Sequence, residues 1–193
     1  MDKQEKMKEL QDKLKDIDTD LAKQANNLVM GEGDINADIV FIGEAPGFNE
    51  DKQGKPFVGR AGGILDDLLE SISMKRDEIY ITNIVKHRPP RNRNPTIEEI
   101  KIYSPYLDEQ LGIIKPKIIC CLGNFATKYI LEKYGLKDKI EGITKIRGQV
   151  FKISTLSGIV KIIPLFHPAV ATYDPNKLET LKKDFEILKK EIE

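Results

Sequence analysis

The 193 residues carry 31 basic and 31 acidic side chains, so a chain that is 32% charged has a formal net charge of zero. No global field draws it to a nucleic acid or a membrane, and any polyanion site must be local. No apolar run approaches the roughly 20 residues of a membrane span, and the N-terminus "MDKQEKMKEL" lacks a secretion signal's apolar region.

These features predict a cytoplasmic protein with one domain over residues 1–193, large enough to bury a core without staples. The abundance of Ile, Lys and Glu and the absence of Trp fit a heat-adapted source, and an AT-rich genome gives much the same bias. In chain order, residues 1–27 are expected to form one amphipathic helix whose narrow apolar seam is Met7, Leu10, Leu14, Ile17 and Leu21. The seam would dock on the domain or, alternatively, serve a dimer; we expect a monomer. Four β-rich runs follow: "DIVFIGE" (38–44), "EIYITNIV" (78–85), "PKIICCLG" (116–123) and "VKIIPLFH" (160–167). Each is nearly continuous in apolar residues, as strands covered on both faces are.

Between the runs lie helical patterns: "AGGILDDLLESIS" with one apolar stripe, "TIEEIKIYSPYLDEQLGII" behind a threonine cap, and "NFATKYILEKYG" ending on a glycine stop. "TKIRGQVFKISTLSGIVKI" reads as a hairpin feeding the last strand, and the chain closes in an amphipathic helix. The alternation predicts a three-layer α/β/α sandwich with a mostly parallel, four-stranded central sheet. Cys120 and Cys121 adjoin on one strand, so they point to opposite faces and read as reduced core residues.

Ligands of open α/β sheets bind beyond the carboxyl ends of the strands, and here those ends are polar. The first run leads into "GEAPGFNEDKQGKPFVGRAGG", the second ends at Asn83, the third stops at "GN", and the fourth delivers "FHPA". One pocket edge would collect a carboxylate (Glu44), a ring (Phe57), a carboxamide (Asn83) and an imidazole (His167). Taken singly, each has a plainer reading: Asn83 as a turn cap, His167 as a core histidine, and "GEAPG" as a loop with neither Walker nor Rossmann spacing. After Asn83 comes "KHRPPRNRNP", five basic side chains in ten residues that the prolines keep from being helical. Such a stiff loop presents its charges to a polyanion with little to lose in ordering, or it is simply a solvated charged loop.

The linked motifs GEAPG, PFVGRAG, TN, RPPRNR and HP, in this order and spacing, resemble the family-4 uracil-DNA glycosylases. The likeness runs from about Val29 to the C-terminal helix. It implies a monofunctional hydrolase of base excision repair that removes uracil from DNA. A flipped base would stack on Phe57 beside Ala45 and be read by Asn83, with Glu50 crowding its C5 edge against thymine's methyl. His167 would donate to uracil O2 as negative charge develops there. Glu44 would hold or activate the water, or stabilise the cationic sugar, with Asn92 assisting. Arg88, Arg91 and Arg93, the backbone near Asn124, and Tyr173 would contact DNA. The rival reading is a non-catalytic DNA-binding or replication-associated protein that keeps the fold.

The resemblance also implies an iron–sulfur cluster on four cysteines, and here this chain departs. The matching positions are Asp16, Thr19, His87 and Tyr103, none a thiolate. The sequence therefore predicts no cofactor and no metal, with apolar packing by Leu10, Leu14, Ile17 and Leu21 in the cluster's stead and Tyr103 filling its volume. Tyr173 stands where family members commonly have an arginine. His87 lacks the inserted basic segment of the covalently acting relatives and is not expected to be a nucleophile.

Overall fold

The computed structural model describes residues 1–192; Glu193, the last residue of the expected domain, lies outside them. The sheet has six strands rather than the four expected: β1 (Glu32–Gly33), β2 (Ile39–Gly43), β3 (Tyr80–Asn83), β4 (Ile118–Leu122), β5 (Phe151–Thr155) and β6 (Gly158–Leu165). Their spatial order is β1-β3-β2-β4-β6-β5. The four apolar runs are the parallel centre, β3-β2-β4-β6, and antiparallel strands close both edges. β5 is the first arm of the expected hairpin. β1 escaped the sequence reading because two residues, one of them glycine, show no period.

The helices are α1 (Lys3–Lys15), α2 (Asp20–Gln24), α3 (Phe48–Gln53), α4 (Arg60–Ser71), α5 (Ile97–Ile114), α6 (Asn124–Lys133), α7 (Ile143–Ile146), α8 (Val170–Tyr173) and α9 (Lys177–Ile192). They cover the sheet on both faces, so the three-layer class holds. Val40, Ile42, Ile119 and Cys121 face a core built with α1, α5 and α6. Phe41, Ile118, Cys120 and Leu122 face the other, built with α4 and α9, where Phe41 stacks on Phe185 with ring centroids 5.8 Å apart. The two cysteines thus lie on opposite faces, as a strand's pleat requires.

The N-terminal seam is split between two helices rather than carried by the one expected. α1 stops at Asp16, and the Thr19 hydroxyl caps α2 by accepting from the Ala22 N–H at 3.0 Å. Met7, Leu10, Leu14 and Leu21 are buried and Ile17 partly so, in the core shared with Tyr103, Leu107 and Leu111 of α5. The buried Asp51 carboxylate fastens the next segment, accepting from the N–H groups of Asn26 and Asn27 at 2.8 and 3.1 Å.

Candidate active site

The carboxyl ends of β2, β3 and β6 open into one pocket of about 380 Å³, lined by Glu44, Ala45, Glu50, Phe57, Asn83, Asn92, Arg93 and His167 among others. These are eight of the twelve residues singled out in the sequence. The parallel strands bring the first of them together. Gly43 pairs with Asn83 in register, and Leu165 pairs with Leu122 two residues before His167.

Local backbone geometry aims the side chains. Phe57 adopts a left-handed φ of 51°, a conformation uncommon away from glycine that bends the chain so the ring joins the pocket wall. Arg76, which reads in the sequence as an ordinary charged turn, fixes this bend by donating to the carbonyls of Pro56 and Phe57. Gly43 leaves the space that the ring and the carboxamide occupy. A Cβ there would collide with the Asn83 side chain and come within 2.8 Å of Phe57 Cζ. Glu50 closes the same loop, its Oε1 accepting from the N–H groups of Val58 and Gly59 at 2.9 and 2.8 Å.

The electrostatics divide the polar groups. The Ala169 N–H donates to His167 Nδ1 at 3.2 Å, so in the neutral ring the proton sits on Nε2. Burial pulls the His167 pKa down to about 4, against an opposing pull from Glu50, and the ring is neutral at pH 7. It lies stacked beside Phe57, ring centroids 5.5 Å apart. Glu44 is half-buried, and burial raises its pKa. Among the described residues neither the Glu44 carboxylate nor the Asn83 carboxamide has a hydrogen-bond partner.

The basic loop is less uniform than its sequence. Arg91 and Asn92 both take φ 56°, a tight turn behind Pro89 and Pro90 that brings Asn92 to the pocket. Arg88 sits over the exposed Phe48 ring, 5.1 Å from its centroid, and its Nε donates to Asn92 Oδ1 at 2.6 Å. Arg93 is held bidentately by Glu99 at 2.8 and 2.6 Å, the same glutamate that completes the capping box of α5. Arg91 is exposed and makes no ion pair or hydrogen bond among the described residues.

Arg88, Arg91, Asn124 and Tyr173 lie outside the pocket lining. Asn124 starts α6 and spends its side chain accepting from the Ile143 N–H at 2.9 Å, while Tyr173 ends α8 with 88% of its surface exposed.

Residues 30–190 match the family described as the uracil DNA glycosylase superfamily. The chain belongs to that superfamily. It is 48% identical over 160 residues to a type-4 uracil-DNA glycosylase of Sulfurisphaera tokodaii, covering 82% of this chain and 72% of that one. Over 166 residues it is 43% identical to the type-4 enzyme of Archaeoglobus fulgidus, covering 86% and 82%. It also matches a type-5 enzyme of Pyrobaculum aerophilum at 30% over 166 residues.

Three of the four positions where the resemblance puts an iron–sulfur cluster are engaged with one another, and the fourth, Asp16, is exposed. The Tyr103 hydroxyl, fully buried, is hydrogen-bonded to Thr19 Oγ1 at 2.9 Å and to His87 Nδ1 at 2.8 Å. Both cysteines are buried in β4, and burial raises their thiol pKa values, against thiolate formation. Among the described residues no group of three or more His, Cys, Asp or Glu is arranged to hold a metal ion. These residues do not fit the cluster. No helix among the described residues is long and apolar enough to cross a membrane.

Proposed function

We propose that the protein is a uracil-DNA glycosylase, hydrolysing the N-glycosidic bond of a flipped-out deoxyuridine to release uracil and leave an abasic site in base excision repair. The observation that carries this reading is the His167 imidazole, neutral at pH 7, its proton on the nitrogen that Ala169 leaves free. As the bond breaks, its electron pair passes to the uracil ring and positive charge develops on the sugar. A neutral N–H donor to uracil O2 gains strength as that charge grows, which is the condition for lowering the barrier rather than merely binding.

The other roles follow from the partners that are missing. A base stacked between two rings needs about 7 Å between their centroids, more than the 5.5 Å separating Phe57 and His167. The base therefore lies on Phe57 with one edge toward the imidazole. Asn83 offers a donor to uracil O4 and an acceptor to N3–H, a pattern that cytosine inverts. Glu50 and Ala45 bound the base. The Glu44 carboxylate, unpartnered, serves the attacking water or the cationic sugar, and Asn92 approaches the same place from the loop. Outside the pocket, Arg91, Tyr173 and the amides at the start of α6 meet the DNA, while Arg88 and Arg93, expected from the sequence to do the same, are held by Phe48 and Asn92 and by Glu99.

The protein would act as a cytoplasmic monomer, one unit with its N-terminal helices packed on the sheet, and without an iron–sulfur cluster. Thr19, Tyr103 and His87 would join the N-terminal segment to the basic loop by hydrogen bonds instead. Incubation with a uracil-containing oligonucleotide followed by alkaline scission tests the activity: cleavage at uracil and not at cytosine or thymine is expected. Binding without scission would leave a non-catalytic DNA-binding protein. Iron analysis of aerobically purified protein tests the second point, and stoichiometric iron with visible absorption would overturn it.

A further inference from the structure

Lys86 is 0% exposed, with no carboxylate among its hydrogen-bond partners. Its ammonium donates to three neutral acceptors: the Asn83 carbonyl at 2.7 Å, the Thr82 hydroxyl at 2.6 Å and Gln110 Oε1 at 2.7 Å. Three protons meet three acceptors, and the acceptors are themselves fixed. Thr82 passes its own proton to the Met30 carbonyl at 2.9 Å, and Gln110 Nε2 donates to Met30 O and Tyr80 Oη at 3.0 and 2.9 Å. The Lys86 carbonyl in turn accepts from the Val29 N–H at 2.8 Å.

A buried cation without a counter-ion is expensive, and an apolar side chain of similar size would fill the space without that penalty. Burial pulls the Lys86 pKa down to about 7. What the ammonium adds beyond packing is a hold on the main chain of Asn83, whose carboxamide has no partner of its own to orient it. Ile84 N–H and Val85 N–H donate to the carbonyls of Gly43 and Glu44 at 3.0 and 3.1 Å, so the same short segment also lies against the chain that carries Glu44.

We propose that Lys86 is a positioning residue for base recognition: bridging α5 and β3, it fixes the Asn83 peptide and thereby the carboxamide that meets the base. The proposal rests on reading Asn83 as the uracil reader. Wild type must first release uracil from an oligonucleotide; if it does not, that reading fails and this proposal with it. Lys86→Met is then compared with Tyr80→Phe, which removes a hydroxyl from the same buried network without touching Lys86. Lys86→Met should lower the single-turnover rate at saturating protein by about tenfold or more, changing affinity for the oligonucleotide by less than about threefold, while Tyr80→Phe keeps both within about twofold. Equal losses in the two variants, or a full rate in Lys86→Met, would overturn the proposal. If Lys86→Met does not fold, free uracil is titrated into wild type and the Lys86 ammonium is followed by nitrogen NMR. A saturable shift supports the coupling; uracil saturation without one refutes it.

Discussion

The floor of the pocket and its basic rim treat polar groups in opposite ways. On the floor, Glu44 is half-buried and Asn83 buried, and neither side chain has a hydrogen-bond partner among the described residues. On the rim, Arg88 and Arg93 are reachable by water yet already engaged, one with Phe48 and Asn92 and the other with Glu99. A polar group that lines a pocket without a protein partner is free to hydrogen-bond a ligand, whereas an exposed ion pair adds little stability and chiefly fixes geometry. The floor is therefore the part of the pocket left free to meet a ligand, which is why the proposed chemistry is assigned there. Most of the rim is architecture that brings Asn92 to the pocket, and Arg91 is the arginine left free.

The largest expected effect belongs to the floor. His167→Ala should lower the single-turnover rate by roughly 10²–10³-fold, in line with loss of one oxyanion donor, with little change in DNA affinity. Parallel falls in rate and affinity would erase the distinction between floor and rim. The same variant carries a stability signature. Burial holds the pKa values of His167, at about 4, and of His87 below the ordinary histidine value of 6.5. Between these limits the unfolded chain binds more protons, so stability is lost as pH falls from 6.5 toward 4. Glu44, raised by burial, works the other way: its contribution is present below the ordinary carboxylate value and fades as pH rises through its folded value. His167→Ala should flatten the acid-side fall in melting temperature without abolishing it, since His87 remains. An unaltered pH profile would mean that His167 titrates like an exposed histidine.

A middle-sized effect tests what holds the rim. Tyr103→Phe leaves Thr19 Oγ1 and His87 Nδ1 short of a partner and should destabilise by about 1–3 kcal/mol, which for a chain of this length lowers the melting temperature by about 2–12 °C. DNA affinity should weaken modestly while the rate at saturating protein stays near wild type. An unchanged melting temperature would show that apolar packing by Leu10, Leu14 and Leu21 alone fastens the N-terminal segment.

The floor was legible in the sequence because its residues end strands, and parallel strands bring their carboxyl ends to one edge. Glu44, Asn83 and His167 needed only the strand assignment. The rim was not legible, because every basic residue that is held there has a deciding partner outside the stretch: Gln110 for Lys86, Tyr103 for His87, Phe48 (beside Asn92 within it) for Arg88 and Glu99 for Arg93. Arg76 was hidden for the same reason, since its bonds to Pro56 and Phe57 cross twenty residues of chain. Local pattern reports which faces are apolar; it does not report which charges meet.

The smallest effect decides whether the rim touches DNA at all, and it rests on Arg91. Five basic side chains stand between Lys86 and Pro95, and composition alone would credit the loop with several phosphate contacts. The structure leaves Lys86 and His87 buried and Arg93 neutralised by Glu99, so far less charge is available. Every phosphate that a side chain neutralises on duplex DNA adds about 0.9 to the slope of log affinity against log salt. Arg91→Ala should therefore reduce that slope by about one and weaken binding a few-fold at moderate salt, equally for DNA with and without uracil. Its rate at saturating protein should stay near wild type, because a phosphate contact positions the strand without sensing the breaking bond. Arg93→Ala is the control. If it changes the slope as much as Arg91→Ala does, the Glu99 pair opens on DNA and the rim is a charged surface after all. If only Arg91→Ala changes it, the loop's remaining bases are framework, and the DNA backbone is gripped here by one arginine on a strained turn.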